Sequence, residues 1–370
     1  MKLENKNIII ISNEPWGDVW YSKQNWAYEL SKKNKVYFFN SPEKWSFLNL
    51  FRIRIKSYDY SSNLTVVEYE DCLPLRRILL VQKLNDFIIG KRIRSWLSKR
   101  GVKKTLFWSF DPFRFLKPVV LKPDLSIFMR VDRFQTKKEN ELIKNIDGLI
   151  LTAEELLDDY RVKHKLFLSH GISEEEFILD NDFAPPYKSG YILYVGNIDH
   201  RLDVDLLRKL VTEMSNERFL FIGRVNPIDS AIFAEIFIEK KYNNVIVHGV
   251  EHFKNLKNYI HYSKACIAPM DVSVHGNAVH HHKTLQYLAM GKAVISPKFN
   301  DEINRGGMIF NYKDGDEALS LLRNLNEIDS KELSKKRIEF ASQFTYDCLI
   351  SQVGDFLFKE IPNLHLNDEK

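Results

Sequence analysis

Cysteine is scarce in this chain. The three present among 370 residues, Cys72, Cys266 and Cys348, have neither the pairing pattern of a disulfide framework nor metal-type spacing. A reduced, cytoplasmic protein is expected. No apolar run approaches the roughly 18–20 residues that span a bilayer, so any membrane attachment is expected to be peripheral. The opening Met-Lys-Leu-Glu-Asn-Lys leads into a β-branched run rather than a secretory core. Tandem repeats and low-complexity tracts are also missing. No Asp-x-Asp stands in a setting that suits a divalent cation.

What remains is ordinary globular composition, 44% hydrophobic and 28% charged, with enough chain for two domains that each bury a core. The net charge of +5 excludes little, but its distribution is uneven. Between Arg76 and Lys104 stand ten Lys or Arg residues against one acid, Asp86, interleaved with Leu, Ile, Phe and Trp. This basic amphipathic pattern suits an anionic membrane surface, or a core helix with a solvated basic face. Nucleic acid is not expected as a partner, because no recognition motif accompanies the charge.

The periodicity predicts an α/β protein. Strands are expected over Asn7 to Ser12, Val36 to Phe39, Leu64 to Tyr69, Thr105 to Ser109, Leu125 to Val131, Gly148 to Leu151 and Lys165 to Leu168. A proline-bearing linker follows near Asn181 to Gly190. The second half repeats the alternation, with strands at Tyr191 to Val195, Phe219 to Ile222, Val245 to His248, Ala265 to Ala268 and Ala293 to Ser296. The expected domains are therefore 1–182, joined by a crossover helix at about 346–370, and 188–345.

The most informative segment is His280-His281-His282-Lys283-Thr284-Leu285-Gln286-Tyr287-Leu288-Ala289-Met290-Gly291-Lys292-Ala293-Val294-Ile295-Ser296. It reads as a polar loop, a short helix, a glycine stop and a buried strand, placing Lys283 and the first helical amides where an anion would bind. A solvated lysine is the alternative, although its charge would then oppose the helix dipole. Gln286 lies one turn onward on nearly the same face. Three consecutive histidines rarely converge on one ion, so donation to phosphate or sugar is the better reading and no metal is expected.

This segment resembles the donor-phosphate motif of the GT-B glycosyltransferases, whose usual form is Lys-x-x-Glu-Tyr-Leu-Ala-x-Gly-Lys-Pro-Val-Val. The resemblance extends to Tyr194-Val195-Gly196-Asn197-Ile198 followed by Arg201 and Asp203, to Phe221-Ile222-Gly223-Arg224, to Asn244 through Val250, and to Ile267-Ala268-Pro269-Met270. It implies two Rossmann-like domains facing an interdomain cleft, the first for an acceptor and the second for a sugar nucleotide. By the same resemblance Gly196, Asn197, Ile198, Gly223, Arg224, Val250, Met270, His282, Lys283, Gln286 and Tyr287 bind the donor, with Val250 meeting the base through its backbone.

Retaining GT-B enzymes carry two glutamates eight positions apart, and here those positions hold Ala278 and Gln286. The pattern Lys-x-x-Gln-Tyr is instead similar to the xanthan-type (GumK-like) glucuronosyltransferases, an inverting group. That resemblance implies a UDP-sugar donor, glucuronate favoured, and a lipid-linked oligosaccharide acceptor in surface polysaccharide synthesis at the inner face of the plasma membrane. It also implies a carboxylate base, for which Asp132 in Phe128-Met129-Arg130-Val131-Asp132-Arg133-Phe134 is the first candidate. Asp132 could instead pair with Arg130 or Arg133, and Asp111 and Asp18 are the alternative bases. A retaining transferase, a sugar-nucleotide epimerase and a catalytically silent sugar-nucleotide-binding subunit remain the other readings.

Overall fold

The computed structural model describes residues 2–17, 20–51, 54–131, 136–152, 157, 160–275, 282–298 and 308–361, without the side chains of 274, 275 and 282. Two compact units emerge. The first takes the residues up to Ser169 and those from Tyr346 onward; the second runs from His170 to Thr345.

The first unit is built on an eight-stranded sheet in the order β3-β4-β2-β1-β5-β6-β7-β8. Its strands are β1 Asn7–Ile11, β2 Lys35–Phe39, β3 Lys56–Ser61, β4 Leu64–Glu68, β5 Leu106–Ser109, β6 Leu125–Arg130, β7 Gly148–Leu151 and β8 Lys165–Phe167. All neighbours are parallel except the β3–β4 hairpin. Four consecutive isoleucines in β1 are fully buried because helices cover both faces of a central parallel strand. Ile8 and Ile10 face Trp26, Trp108 and the C-terminal helix Tyr346–Asp355, whereas Ile9 and Ile11 face Ile89, Ile93 and Leu97 of the helix Leu79–Ser98.

The second unit carries six parallel strands in the order β11-β10-β9-β12-β13-β14. They are β9 Tyr191–Val195, β10 Phe219–Ile222, β11 Val245–Gly249, β12 Ser263–Ile267, β13 Val294–Pro297 and β14 Phe310–Tyr312. Aliphatic and aromatic runs such as Phe219-Leu220-Phe221-Ile222 supply the buried strands, and helices with one apolar stripe cover them.

Two strands go beyond the sequence reading. β3, Lys-Ser-Tyr-Asp-Tyr-Ser, is exposed at every position and sits on the sheet edge, so it has no buried face to impose a pattern. β14 is only three residues long. The first unit also ends earlier than residue 182. Residues 170–187 pack on the second unit's core through Ile172, Phe177, Phe183 and Tyr187, and Asn258 donates to the carbonyls of Asp180 and Phe183 at 2.9 and 3.1 Å. The stretch read as a linker is thus tied down.

Candidate functional site

Parallel α/β sheets present ligands at the carboxyl ends of their strands. In the second unit, β9 and β10 end there in glycines whose turns are zipped together. The Ile198 amide donates to the Arg224 carbonyl at 2.9 Å and the Asn226 amide to the Ile198 carbonyl at 2.8 Å. Gly223 is required by contact: a Cβ on it would lie 1.8 Å from the Gly196 carbonyl oxygen. Asn197 and Arg224 are exposed on this edge, while the Ile198 side chain is buried in the core, leaving only its backbone for a ligand. Arg201 chelates Asp199 at 2.7 and 2.8 Å. Burial pulls against the Asp199 charge, yet these bonds hold its carboxyl below the usual range. Asp203 caps the following helix by accepting from the Leu206 amide at 2.9 Å.

The helix His282–Ala289 is fixed at the same edge. Tyr287 is fully buried, and its hydroxyl accepts from the Val195 amide at 2.8 Å, just before Gly196. It positions the β9 turn from beneath. Gly291 ends the helix with φ 69°, and the buried Arg337, bonded to Asp329 at 2.7 Å, reaches the Gly291 carbonyl at 3.4 Å. Met270 is nearly buried and bridges to Leu202, whereas Val250 stands 60% exposed beyond β11.

Lys283 is half-buried at the first turn of this helix. Burial depresses its pKa below the ordinary lysine value, and the carboxylate of Glu176 opposes the shift. Glu176 comes from the short turn Glu174–Phe177, where the Ser173 amide donates to its Oε1 at 3.2 Å. The other oxygen, Oε2, accepts from the Gln286 amide nitrogen. Gln286 is 4% exposed and its carbonyl oxygen has no hydrogen-bond partner. The carboxylate missing from position 286 therefore arrives from position 176. The Ser-x-x-Glu capping pattern at 173–176 was visible in the sequence, but its proximity to Gln286 was not.

A second polar cluster lies at the end of β11. The His248 ring meets the Tyr187 hydroxyl at 2.9 Å and Glu251 at 3.1 Å, and the Tyr259 hydroxyl donates to Glu251 at 2.9 Å. Of these residues sequence reasoning took in only His248, within the segment Asn244 through Val250, and gave Tyr187, Glu251 and Tyr259 no part.

In the first unit, the carboxyl edge carries a groove of ≈ 670 Å³ lined by Trp16, Asn40, Lys44, Arg54, Glu68 and Glu70, among others. Trp16 packs edge-on against Trp20 and Tyr60 at 5.1 and 4.9 Å. Behind the groove, the buried Arg114 binds Asp111 at 2.6 Å, the Asn40 carbonyl at 3.0 Å and the Ser12 carbonyl at 2.5 Å. That arrangement makes Asp111 a buried structural anion rather than an accessible base. Arg130 is engaged by Glu139 at 2.7 Å, both fully buried. Asp132, Asp18, Ala278, His280 and His281 lie outside the described residues, as does the His282 side chain. Among the described residues no cluster of His, Cys, Asp or Glu could hold a metal ion.

With this geometry in hand, the chain can be compared with known proteins. No protein-family profile matches it. It is 22% identical over 247 residues to TuaH of Bacillus subtilis (strain 168), named as a glycosyltransferase of teichuronic acid biosynthesis. That match takes in 65% of this chain and about 60% of the relative's length. Among solved structures, sucrose-phosphate synthase from Thermosynechococcus elongatus superimposes with a TM-score of 0.68 at 15% identity, covering 95% of this chain and 98% of that one. A trehalose-6-phosphate protein of E. coli bound with UDP-2-fluoro glucose gives 0.64 at 13% identity, with 95% and 99% covered. The fold is that of the GT-B glycosyltransferases, α/β with two Rossmann-like units.

Proposed function

We propose that the protein is a sugar-nucleotide-dependent glycosyltransferase of surface polysaccharide synthesis, with its donor site at the carboxyl edge of β9 and β10. The observation that carries this reading is the convergence of the zipped β9 and β10 turns, the start of the helix His282–Ala289 and Lys283 on one sheet edge. A diphosphate there meets helical amides and an ammonium group, which offset leaving-group charge without a divalent ion. The Gln286 amide donates to Glu176, which leaves a buried carbonyl oxygen, an acceptor that cannot donate to a phosphate, as its atom without a partner.

Beyond that, UDP as the nucleotide, glucuronate as the sugar, inversion, and Asp132 as base rest on the resemblance to the GumK-like transferases. A lipid-linked oligosaccharide is the proposed acceptor, with the aromatic groove of the first unit as its sugar subsite. The relative named for teichuronic acid biosynthesis supports a polysaccharide product.

Calorimetric titration of UDP and GDP without metal tests the donor site. Wild type is expected to bind UDP selectively, and Lys283→Ala to bind it roughly 10- to 100-fold more weakly, the size of one charge-assisted hydrogen bond. An unchanged dissociation constant removes Lys283 from the site. No binding of either nucleotide by folded protein overturns the transferase reading. With an active donor, Asp132→Asn is expected to abolish transfer while keeping UDP affinity, and the product's anomeric configuration decides between inversion and retention.

A further inference from the structure

The helix Leu79–Ser98 changes character halfway along. In its second half the apolar residues Ile93 and Leu97 point inward, and Arg100 lies over the Trp96 ring at 3.7 Å, as a solvated basic face requires. The first half is inside out. Gln82, Asn85 and Asp86 are buried, while Leu80, Leu84 and Phe87 are 76%, 46% and 48% exposed at helical spacing. The inward polar groups are bonded locally, except for the Gln82 carbonyl oxygen: Gln82 donates to Asp86 at 2.6 Å, Asp86 accepts from the Leu116 amide at 3.0 Å, and Asn85 accepts from the Cys72 and Leu73 amides. Their positions fix the outward direction of the apolar stripe.

A second apolar element lies beside it. The short turn Phe47–Leu50 and the residue after it expose Phe47, Leu48 and Phe51 by 54%, 75% and 80%, while Asn49 is buried and bonds the Asp71 carbonyl at 3.1 Å. Arg92 donates to the Phe51 carbonyl at 3.1 Å and Arg76 to the Pro42 carbonyl at 2.8 Å, so turn and helix form one surface of the first unit. Water-facing phenylalanines and leucines at this density mark an interaction surface.

Its charge names the partner. Arg77, two residues before the helix, and Lys91 and Arg92 on it are exposed, with the Lys91 ammonium 4.0 Å from the Phe87 ring centre. Arg76 and Lys83 have carboxylate neighbours, Asp71 at 3.7 Å and Glu141 at 2.8 Å, and Glu43 and Lys44 stand exposed before the turn. From 72 to 104 the only acid is Asp86, which is buried. No helix among the described residues is long and apolar enough to cross a membrane.

We propose that this face docks on an anionic lipid bilayer. Phe47, Leu48, Phe51, Leu80, Leu84 and Phe87 enter the boundary between headgroups and acyl chains, and Arg77, Lys91 and Arg92 meet lipid phosphates. This narrows the membrane-facing surface to residues 77–92 of the basic segment and adds the turn Phe47–Leu50, which lies outside that segment. It deepens the lipid-linked acceptor reading but stands on its own surface, apart from the donor site.

The test is co-sedimentation of the full chain with phosphatidylcholine vesicles, with and without phosphatidylglycerol. Binding is expected only with the anionic lipid. Replacing Phe47, Leu48 and Phe51 by serine, or Leu80, Leu84 and Phe87 by serine, is expected to weaken it at least about tenfold. Arg77→Glu with Lys91→Glu is expected to weaken it by about fivefold or more per cation. UDP affinity stays unchanged in every variant, which separates failure here from failure of the donor site, and wild-type hydrogen-exchange protection of β1 and β5 in each variant reports that the first unit, which carries the substitutions, is folded. Absence of vesicle binding by wild type, or equal binding by all variants, overturns the proposal. So does a wild-type dimer that the serine variants convert to monomer without any lipid binding, since the face would then join two copies of the chain.

Discussion

Gln286 is the residue where sequence and structure bear on each other most directly. In the GT-B motif its position is usually acidic, and the amide here looks like a loss of function. The structure supplies a physical reason for it. Glu176 already brings a carboxylate to this point, so a second acid would place two like charges in contact in a buried site. Gln286→Glu is therefore expected to destabilise the second unit by roughly 1–3 kcal/mol at pH 7, and to lose most of that penalty at pH 5, where one carboxyl can take a proton. Adding Glu176→Gln is expected to restore stability by reversing the bond's polarity. Urea denaturation of the two single variants and the double variant measures this, and a Gln286→Glu protein as stable as wild type would show that the pair is not in contact. The motif around Lys283 was legible because its residues are close in sequence. Glu176, 110 positions away, could not be read from spacing at all.

At the scale of elements, the buried parallel strands declared themselves through continuous apolar runs, while β3 and β14 did not, one being exposed at every position and the other very short. The helix Leu79–Ser98 shows a different limit. Its composition allowed both a membrane face and a solvated core helix, and the structure shows an exposed apolar stripe in the first half and a solvated basic face in the second, because Gln82, Asn85 and Asp86 find buried partners. Asp86 makes the arrangement measurable. Burial raises its pKa from 3.8 to about 6, against the pull of the Phe115 and Leu116 amides and Gln82. A carboxyl with a raised folded pKa binds more protons folded than unfolded between those values. Its contribution is thus fully present below pH 3.8 and lost as pH rises through about 6. Asp86→Asn removes that dependence and can keep both bonds, since Gln82 has an unpaired carbonyl oxygen to offer the new amide. Relative to this variant, wild type is expected to lose about 3 kcal/mol across the interval, at 1.4 kcal/mol per pKa unit. Denaturation at pH 4 and pH 8 tests it, and a constant difference between the proteins would show that Asp86 ionises normally.

At the scale of the whole molecule, the return of the chain to its first unit was expected from the last apolar segment, and the reason lies in what that segment fills. Tyr346, Leu349, Val353, Phe356, Leu357 and Ile361 are all buried in the same core as Ile8, Ile10, Trp26 and Trp108. Trp26 and Tyr346 stack edge to face at 5.2 Å, and Gly148 leaves room for Phe356, which a Cβ there would approach to 2.9 Å. Six such side chains contribute on the order of 10 kcal/mol of hydrophobic burial, comparable with the entire net stability of a domain. The second unit shares none of these residues in its cores. A chain ending at Thr345 is therefore expected to lose hydrogen-exchange protection throughout β1, β5 and β6 while β9, β10 and β12 keep theirs, and to go on binding UDP if the donor site lies where we place it. Uniform protection in the truncated chain would mean that the first unit closes its core without the returning helix. Uniform loss would mean that the second unit depends on the first for its stability, and the chain would then fold as one cooperative body.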